Sequence, residues 1–404
     1  MPNNQTEALH FVIACCQSEL SDEDIALVCN VLRTQHIPHE TLLVLAHQHG
    51  VLPLVYKTLK KLYEEEYLPH VSYTDTLITE AKHLYRAIAQ KNMLMSAELI
   101  RIMKLFQANN IEALAFKGPA LAQAAYGDIT LRQYGDLDIL IHRKDFRHIA
   151  SLMQEKGYSP HYPIEIFAGD KVMFEMNNDC PFYDRNRGLA VEIHWDFFRK
   201  LALPTERFSP WENTETVMIN GKDIRTLSSE THLLYHALHG AKHVWERLVW
   251  IADIDRFIRS TPDLDWGKTI GMAKNMGAEK MFFSGLVLAH NYFHTPLPDT
   301  ILHRCQTLKL EPFIAYVEAE LSSENPASED SLAKLSKVIG LRDTLYYKTM
   351  TLLEFMFRPG INERRTVILP DTLFWLYWFL RPAGMVYRFI VCRTMKLCSS
   401  GTKT

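Results

Sequence analysis

The chain has 404 residues, of which 47% are hydrophobic, 11% aromatic and 23% charged. These fractions are typical of a folded globular protein and exclude a disordered chain, a collagen and a simple coiled coil. Lys and Arg number 44 against 47 Asp and Glu, which gives a net charge of −3. This balance provides no overall positive field for holding phosphates, so a long nucleic acid is not an expected partner.

The cysteines indicate a reducing environment. Seven are scattered along the chain without a Cys-x-x-Cys pair, so neither a zinc site nor a disulfide framework is predicted. The first residues have a short apolar patch but lack the basic segment of a secretory signal. We therefore expect reduced thiols and a cytoplasmic protein.

Four regions follow one another along the chain. Residues 1–108 have helical apolar spacing, and residues 109–200 have short apolar runs and turns that indicate an α/β or α+β core. Residues 201–321 are predicted to be helical and to contain a histidine-rich helix. After a polar, proline-containing linker at 322–331, residues 332–404 predict a helical C-terminal region with an aromatic segment.

Within the core, two segments predict strands and one predicts a helix. Residues 111–116 fit a strand that is buried on both faces, and Pro119 suits the first turn of a helix over 120–126. The segment KVMFEM at 171–176 resembles a strand. Farther along, residues 230–259 predict one long helical run, with Ser228 or Ser229 as its cap.

Two further strands carry acidic residues in an alternating pattern. In the strand that contains Asp136 and Asp138, Leu, Ile and Ile alternate with the two acids, so both carboxylates share one face. In the segment VEIHW, Glu192 and His194 share the face opposite to the apolar residues. If the two strands are neighbours, three carboxylates converge and repel one another, and a divalent cation such as Mg²⁺ would remove that penalty.

An Asp-x-Asp pair is a weak signal by itself, since the chain has four of them. The pair Asp253 and Asp255 lies in a helical pattern, where residues two apart do not face each other. The pair Asp22 and Asp24 suits the first turn of a helix. Only Asp136 and Asp138 lie on an alternating strand that follows a strand–glycine–helix unit.

Taken together, these residues resemble a known family. The ordered motifs are Lys117-Gly118, Tyr126, Arg132, Asp136-x-Asp138 and Glu192-x-His194-Trp195, and the flanks contribute Trp245, Arg247, Asp253 and an aromatic segment between Pro370 and Pro382. They are similar to the uncharacterised bacterial nucleotidyltransferase-like family of the polymerase-beta-like nucleotidyltransferase superfamily. The resemblance implies an α+β fold, with a small mixed sheet backed by helices and flanked by larger helical regions.

The resemblance also implies a site. Asp136 and Asp138 match the metal-binding pair, and Glu192 matches the third acid, so these three are the expected catalytic residues and ligands of Mg²⁺ or Mn²⁺. Gly118 matches the glycine of the phosphate-binding turn. Pro119 departs from the pattern, because the family usually has a small Ser or Gly there whose groups contact the nucleotide phosphates.

Three cationic or imidazole side chains are further candidates. Lys117 and Arg132 are predicted to bind phosphate and to stabilise charge on the leaving pyrophosphate. The alternatives are a solvated strand end for Lys117 and an ion pair with a nearby acid for Arg132. His194 shares the acidic face and is either an acceptor-site residue or a hydrogen-bonded structural histidine.

A second group of histidines, His232, His236, His239 and His243, is spaced to share one helical face. A metal site is one interpretation, although no HExxH motif accompanies it. A polar stripe that bonds to neighbours or lines a cleft is the other. His239 and His243 are retained as acceptor-site candidates.

The predicted function is that of a Mg²⁺-dependent nucleotidyltransferase. It would move a nucleoside monophosphate from a nucleoside triphosphate such as ATP to a hydroxyl-bearing small molecule, sugar, peptide or protein. A catalytically silent nucleotide-binding or regulatory module and a phosphotransferase are the alternatives.

The aromatic segment LFWLYWFL at 373–380 is too short to span a bilayer. Burial against the core is the expected arrangement. The alternative is a peripheral membrane contact assisted by the basic residues Arg388, Arg393 and Lys396.

Overall fold

The computed structural model describes residues 4–164, 170–198, 203–204, 209–323 and 331–387. The protein has an α+β fold, as predicted: many helices surround one small mixed sheet. Part of the 322–331 linker lies outside the described residues, as do Arg388, Arg393 and Lys396.

Seven strands are described. Five form a mixed sheet in the order β1-β2-β5-β4-β3, and two form a separate hairpin. Only the β2–β5 pair is parallel within the sheet. The strands are β1 Ala113–Ala115, β2 Leu137–Ile141, β3 Ser159–Pro160, β4 Asp179–Asp184, β5 Leu189–His194, β6 Glu215–Ile219 and β7 Lys222–Thr226.

The helices precede, connect and follow these strands. They are α1 Asn4–Cys15, α2 Asp22–Thr34, α3 His39–Gln48, α4 Leu52–Glu64, α5 Ser72–Ala108, α6 Gly118–Tyr126, α7 Phe146–Glu155, α8 Asp170–Met176, α9 Ser229–Lys242, α10 Leu248–Ser260, α11 Trp266–Asn275, α12 Glu279–Phe293, α13 Asp299–Thr307, α14 Glu311–Leu321, α15 Ser331–Gly340, α16 Leu345–Phe357 and α17 Ile361–Thr366. Residues 377–387 are also helical.

The sheet separates two hydrophobic cores because successive strand residues point to opposite faces. Leu137, Ile139 and Ile141 of β2 pack with Val191 and Ile193 of β5 in the core that includes residues of α5 and α7. On the other face, Leu114, Phe116 and Leu140 belong to the larger core formed with α9, α10 and α12. The polar residues of β2 and β5 therefore lie on the side that carries α9 and α10.

The predicted strand at 171–176 is wrong, because these residues lie in the helix α8. Val172, Met173 and Met176 are all buried, and spacings of one and four residues place them on one helical face. A short apolar run fits both the alternation of a strand and the spacing of a helix, so the sequence alone does not distinguish them. The strand in this part of the chain is β4, which begins at Asp179.

The long helical run predicted over 230–259 is two helices, α9 and α10. Ser228 caps α9, and its side chain accepts from the amide of Thr231. The run breaks because Val244 and Trp245 both have positive φ. The Trp245 indole is fully buried, and its Nε1 donates to Ser284 in α12.

The helical expectation for 201–321 also fails at 215–226, where β6 and β7 form an antiparallel hairpin. Its turn contains Asn220 and Gly221, both with positive φ. Asn-Gly is the preferred pair for a tight hairpin turn because both residues tolerate the left-handed region. The Asn220-Gly221 pair is visible in the sequence and could have predicted the hairpin.

The aromatic segment is more exposed than expected. Tyr377 is buried, but 56% of Trp375 and 67% of Phe379 remain exposed. Burial of the whole segment against the core is therefore wrong, and a membrane contact stays a prediction. In the part of the chain that the structure describes, no helix has both the length and the apolar character to cross a bilayer.

Candidate metal and nucleotide site

The site is built on the one parallel strand pair. Asp138 of β2 pairs with Glu192 of β5 in register, so their side chains lie side by side on the same face of the sheet. The predicted adjacency of the two acidic strands is thus confirmed. Asp138, Glu192 and His194 each offer one ligand atom, and these atoms lie within 4.8 Å of one another.

Asp138 is the centre of this group, with only 1% of its surface exposed. Its Oδ1 accepts from Lys117 Nζ at 2.8 Å and from His194 Nε2 at 3.2 Å. Its Oδ2 is buried and has no hydrogen-bond partner among the described residues. Burial alone would raise the pKa of Asp138, but the Lys117 charge and the hydrogen bonds hold it well below the ordinary value.

His194 lies between two acids. Its Nε2 is 3.2 Å from Asp138 Oδ1 and 3.3 Å from Glu192 Oε2. Burial opposes protonation, but the hydrogen bonds to both carboxylates raise the pKa of His194 to about 9. At neutral pH the ring is therefore a cation that partly neutralises Asp138 and Glu192.

Asp136 lies one residue before β2 and outside the group of three. The charge of Asp138, followed by burial, raises the pKa of Asp136 to about 6. Glu192 contributes in the same direction. The three predicted acids therefore share one electrostatic environment, although the tightest group contains His194 in place of Asp136.

Lys117 and Gly118 form the start of α6. Gly118 has φ of +54°, and a Cβ there would lie 3.0 Å from the Asp136 carbonyl oxygen, so glycine fits this turn. The Lys117 side chain is only 16% exposed, so it is not a solvated strand end. Its Nζ lies 5.7 Å from the ring centre of Phe116 and 5.5 Å from that of Tyr235.

Arg132 adopts the alternative arrangement, an ion pair with an acid. Its Nε and Nη2 donate to the two carboxylate oxygens of Asp253 at 2.8 and 2.9 Å. Tyr126 also donates to Asp253, at 2.8 Å. The structure thus explains Arg132 and Tyr126 as one buried network with α10, and phosphate binding by Arg132 stays a prediction.

His232 and His236 of α9 are buried, His239 and His243 are partly buried, and burial favours the neutral form of all four. Burial lowers the pKa of His232 and His243 to about 3, and those of His236 and His239 lie well below the ordinary value. His232 bonds to Thr226, and His239 stacks on Tyr235. Within the described residues, none of these histidines belongs to a group that could hold a metal.

Two site residues were not found from the sequence. Asp179 pairs with His194 across β4 and β5, so it lies on the acidic face, and burial raises its pKa. The buried Cys180 and Phe182 alternate with it, a pattern that could have revealed the strand. Tyr235 of α9 has no such signal, since only the fold brings it to Lys117.

Comparison with known proteins identifies a family for the chain. Residues 35–294 match the family described as uncharacterised nucleotidyltransferase, and this span contains all the site residues above. A search of curated proteins finds no match. The chain is also similar to the crystal structure of an antigenic nucleotidyltransferase-like protein from Paracoccidioides brasiliensis, at 14% identity and a TM-score of 0.32.

That similarity covers 55% of this chain and 91% of the other. At such a low TM-score it carries no argument about the site. The family match covers more than half of the chain, which is sufficient to assign the chain to that family. The chain belongs to the uncharacterised nucleotidyltransferase family.

Proposed function

We propose that the protein transfers a nucleoside monophosphate from a nucleoside triphosphate to a hydroxyl-bearing acceptor, with Mg²⁺ or Mn²⁺ held by Asp138, Glu192 and Asp136. One observation carries the proposal. The buried Oδ2 of Asp138 lacks a partner among the described residues, and it belongs to a carboxylate paired in register with Glu192. A buried carboxylate oxygen without a partner is costly, and a cation would satisfy it.

The donor set fits a hard divalent cation. Carboxylate oxygens suit Mg²⁺ and Mn²⁺, and the raised pKa of Asp136 shows the repulsion among the acids that a cation would relieve. When bound, the cation would neutralise charge on the nucleotide phosphates.

The remaining steps use the chain's own residues. The acceptor oxygen attacks the α-phosphorus, and the bond from that phosphorus to the bridging oxygen breaks to release pyrophosphate. Glu192, whose side chain is 30% exposed, would accept the hydroxyl proton. Lys117 provides an ammonium beside the start of α6, where it would stabilise charge on the phosphates.

The acceptor side is proposed along α9. His239 of α9 and His243, which follows the last residue of this helix, lie beyond Tyr235 in the chain. The charge of Lys117 contributes to lowering the pKa of both. Neutral imidazoles both donate and accept hydrogen bonds, as an acceptor hydroxyl requires. We therefore retain both histidines as candidate acceptor contacts.

A catalytically silent nucleotide-binding module is the second candidate, because one feature favours it. Lys117 and the protonated His194 already supply positive charge to Asp138. A scaffold that has replaced its metal by these cations would bind nucleotide without transferring it. The missing amide donor of Pro119 points in the same direction.

Labelled nucleotides distinguish these functions. The purified protein is incubated with MgCl₂, a cell extract, and ATP, GTP, CTP or UTP labelled at the α- or the γ-phosphate. Transfer of the α-label supports the proposal, and transfer of the γ-label indicates a phosphotransferase. Nucleotide binding without transfer of either label indicates the silent module.

Two variants control this experiment. Asp138→Asn should abolish transfer, because the asparagine lacks the charge that a metal requires. Asp223→Asn removes an exposed carboxylate from strand β7 and should transfer as the wild type does. Transfer that survives Asp138→Asn would overturn the proposal.

A further inference from the structure

The site as described has few cations left for a triphosphate. Lys117 donates to Asp138, and Arg132 is bound through two hydrogen bonds to Asp253. Both side chains predicted to bind phosphate thus already have a carboxylate partner, which neutralises part of their charge. A triphosphate carries several negative charges, and proteins usually meet them with guanidinium or ammonium groups.

Arg247, in contrast to Lys117 and Arg132, does not bond to a carboxylate of the described residues. It immediately precedes α10 and is partly buried. Its Nε is buried without a hydrogen-bond partner, and its guanidinium has no hydrogen bond or ion pair to any residue in the described ranges. A partly buried cation without an acid in contact is costly, and a ligand that supplies a negative charge would remove that cost.

The position of Arg247 links it to the site. The same helix, α10, carries Asp253, which holds Arg132. Burial and then the charge of Arg132 lower the pKa of Arg247, and the charges of Asp253, Glu246 and Asp136 oppose this effect. The helix that Arg247 begins is thus bound, through Asp253 and Arg132, to the segment that leads into β2.

The surroundings hold this arginine in place. A Cβ on Gly50 would lie 2.8 Å from its Nη2, and Gly50 has φ of +75°, so glycine leaves room for the guanidinium. His49 caps the start of α10, since its carbonyl accepts from the amide of Val249 at 3.0 Å. The backbone that carries the guanidinium is thus held by a hydrogen bond, and a positioned cation is what an anion-binding group requires.

We propose that Arg247 binds the β- or γ-phosphate of the nucleoside triphosphate. The inference rests on the proposed function and adds to it a phosphate contact from the helical region beyond the sheet. Arg247 donates several parallel hydrogen bonds to phosphate oxygens, which satisfies its buried Nε and pairs its charge. Arg132 then has a structural role, as the ion-pair partner of Asp253 in the same helix that Arg247 precedes.

The test measures binding of inorganic tripolyphosphate in MgCl₂ by calorimetry, since this probe contains the phosphate chain without a base. Arg247→Gln should weaken binding about 10- to 100-fold, the range expected for a lost charge-assisted contact. Arg247→Lys should restore part of the affinity, because the charge remains without the planar fork. Lys61→Gln, which removes an exposed cation from α4, should bind like the wild type.

Thermal stability separates this role from a structural one. Since the guanidinium has no partner among the described residues, Arg247→Gln should melt at or above the wild-type temperature. A variant that melts lower, or one that binds tripolyphosphate as tightly as the wild type, overturns the inference.

Failure of the proposed function gives a different result. If the wild type binds neither tripolyphosphate nor ATP in MgCl₂, the nucleotide site itself is refuted, and the role of Arg247 with it. If the wild type binds and Asp138→Asn loses transfer while Arg247→Gln binds normally, only the inference about Arg247 fails.

Discussion

The carboxylates of Asp138 and Glu192 lie side by side because the parallel strands β2 and β5 pair these two residues in register. A shift of one residue would turn one of the two side chains to the opposite core. The register is fixed from the other face, where Leu137, Ile139 and Val191 are fully buried. The packing of an apolar core therefore determines the geometry of the acidic site.

Removal of Lys117 should separate its structural role from its functional one. Lys117→Gln leaves the buried Asp138 carboxylate with one cation fewer, so stability should fall by about 3–5 kcal/mol. A divalent cation no longer competes with the ammonium and should raise the melting temperature more in this variant than in the wild type. Thermal melts with and without MnCl₂ measure both effects, and equal metal responses would contradict the account.

The Arg132–Asp253 pair should behave as a coupled unit. Arg132→Met leaves a buried carboxylate without its main partner and should cost about 3–5 kcal/mol in urea unfolding. Asp253→Leu should cost a similar amount. The double variant should lose clearly less than the sum of the two, because neither charge remains unpaired. Additive losses would show that the two side chains do not interact.

Two glycines should respond oppositely to alanine. A Cβ on Gly240 would lie 2.3 Å from the buried Trp245 ring, whereas a Cβ on Gly271 would meet nothing within 4 Å. Gly240→Ala should therefore destabilise the protein by about 1–3 kcal/mol. Gly271→Ala in α11 should stabilise it by about 0.5–1 kcal/mol, since alanine favours the helix. Urea unfolding of both variants measures the difference. Equal effects would be inconsistent with close packing of the Trp245 ring against Gly240.

The buried histidines of α9 should make the fold sensitive to mild acid. The pKa of His232 is about 3 in the folded protein, below the ordinary value of about 6.5 for an unfolded chain. Its contribution to stability is thus present above pH 6.5 and is lost as the pH falls from 6.5 towards 3.

Between pH 7.5 and 5.0, His232 alone should account for a loss of about 2 kcal/mol. His232→Gln does not titrate in this range and should lose about that much less stability than the wild type. Urea unfolding at the two pH values makes the comparison. An identical loss in both proteins would show that this histidine does not stay neutral in the fold.

Much of the site was predictable because it depends on local alternation. The pattern around Asp138 and Glu192 assigned each side chain to a face, and the parallel pairing of the two strands then brought them together. Local patterns do not report long-range partners. Asp253 meets Arg132 only through the packing of α6 against α10, so the ion pair remained one of two alternatives.

Two other differences arise from the way that the helices pack. The residues of α8 fit both a strand and a helix because the run is short, and burial of one helical face decided between them. The break after α9 arises because Trp245 fits between Gly240 and Gly285, which belong to different helices. Neither the partner helix nor the positive φ of Trp245 has a signature in the adjacent sequence.

Binding of Mn²⁺ to the purified protein, followed by electron paramagnetic resonance, tests the central claim most directly. The account predicts a bound ion in the wild type and in Asp223→Asn. Its affinity should fall more than about tenfold in both Asp138→Asn and Glu192→Gln, since losing even an outer-shell partner of a metal costs this much. Equal Mn²⁺ binding by all four proteins would contradict it.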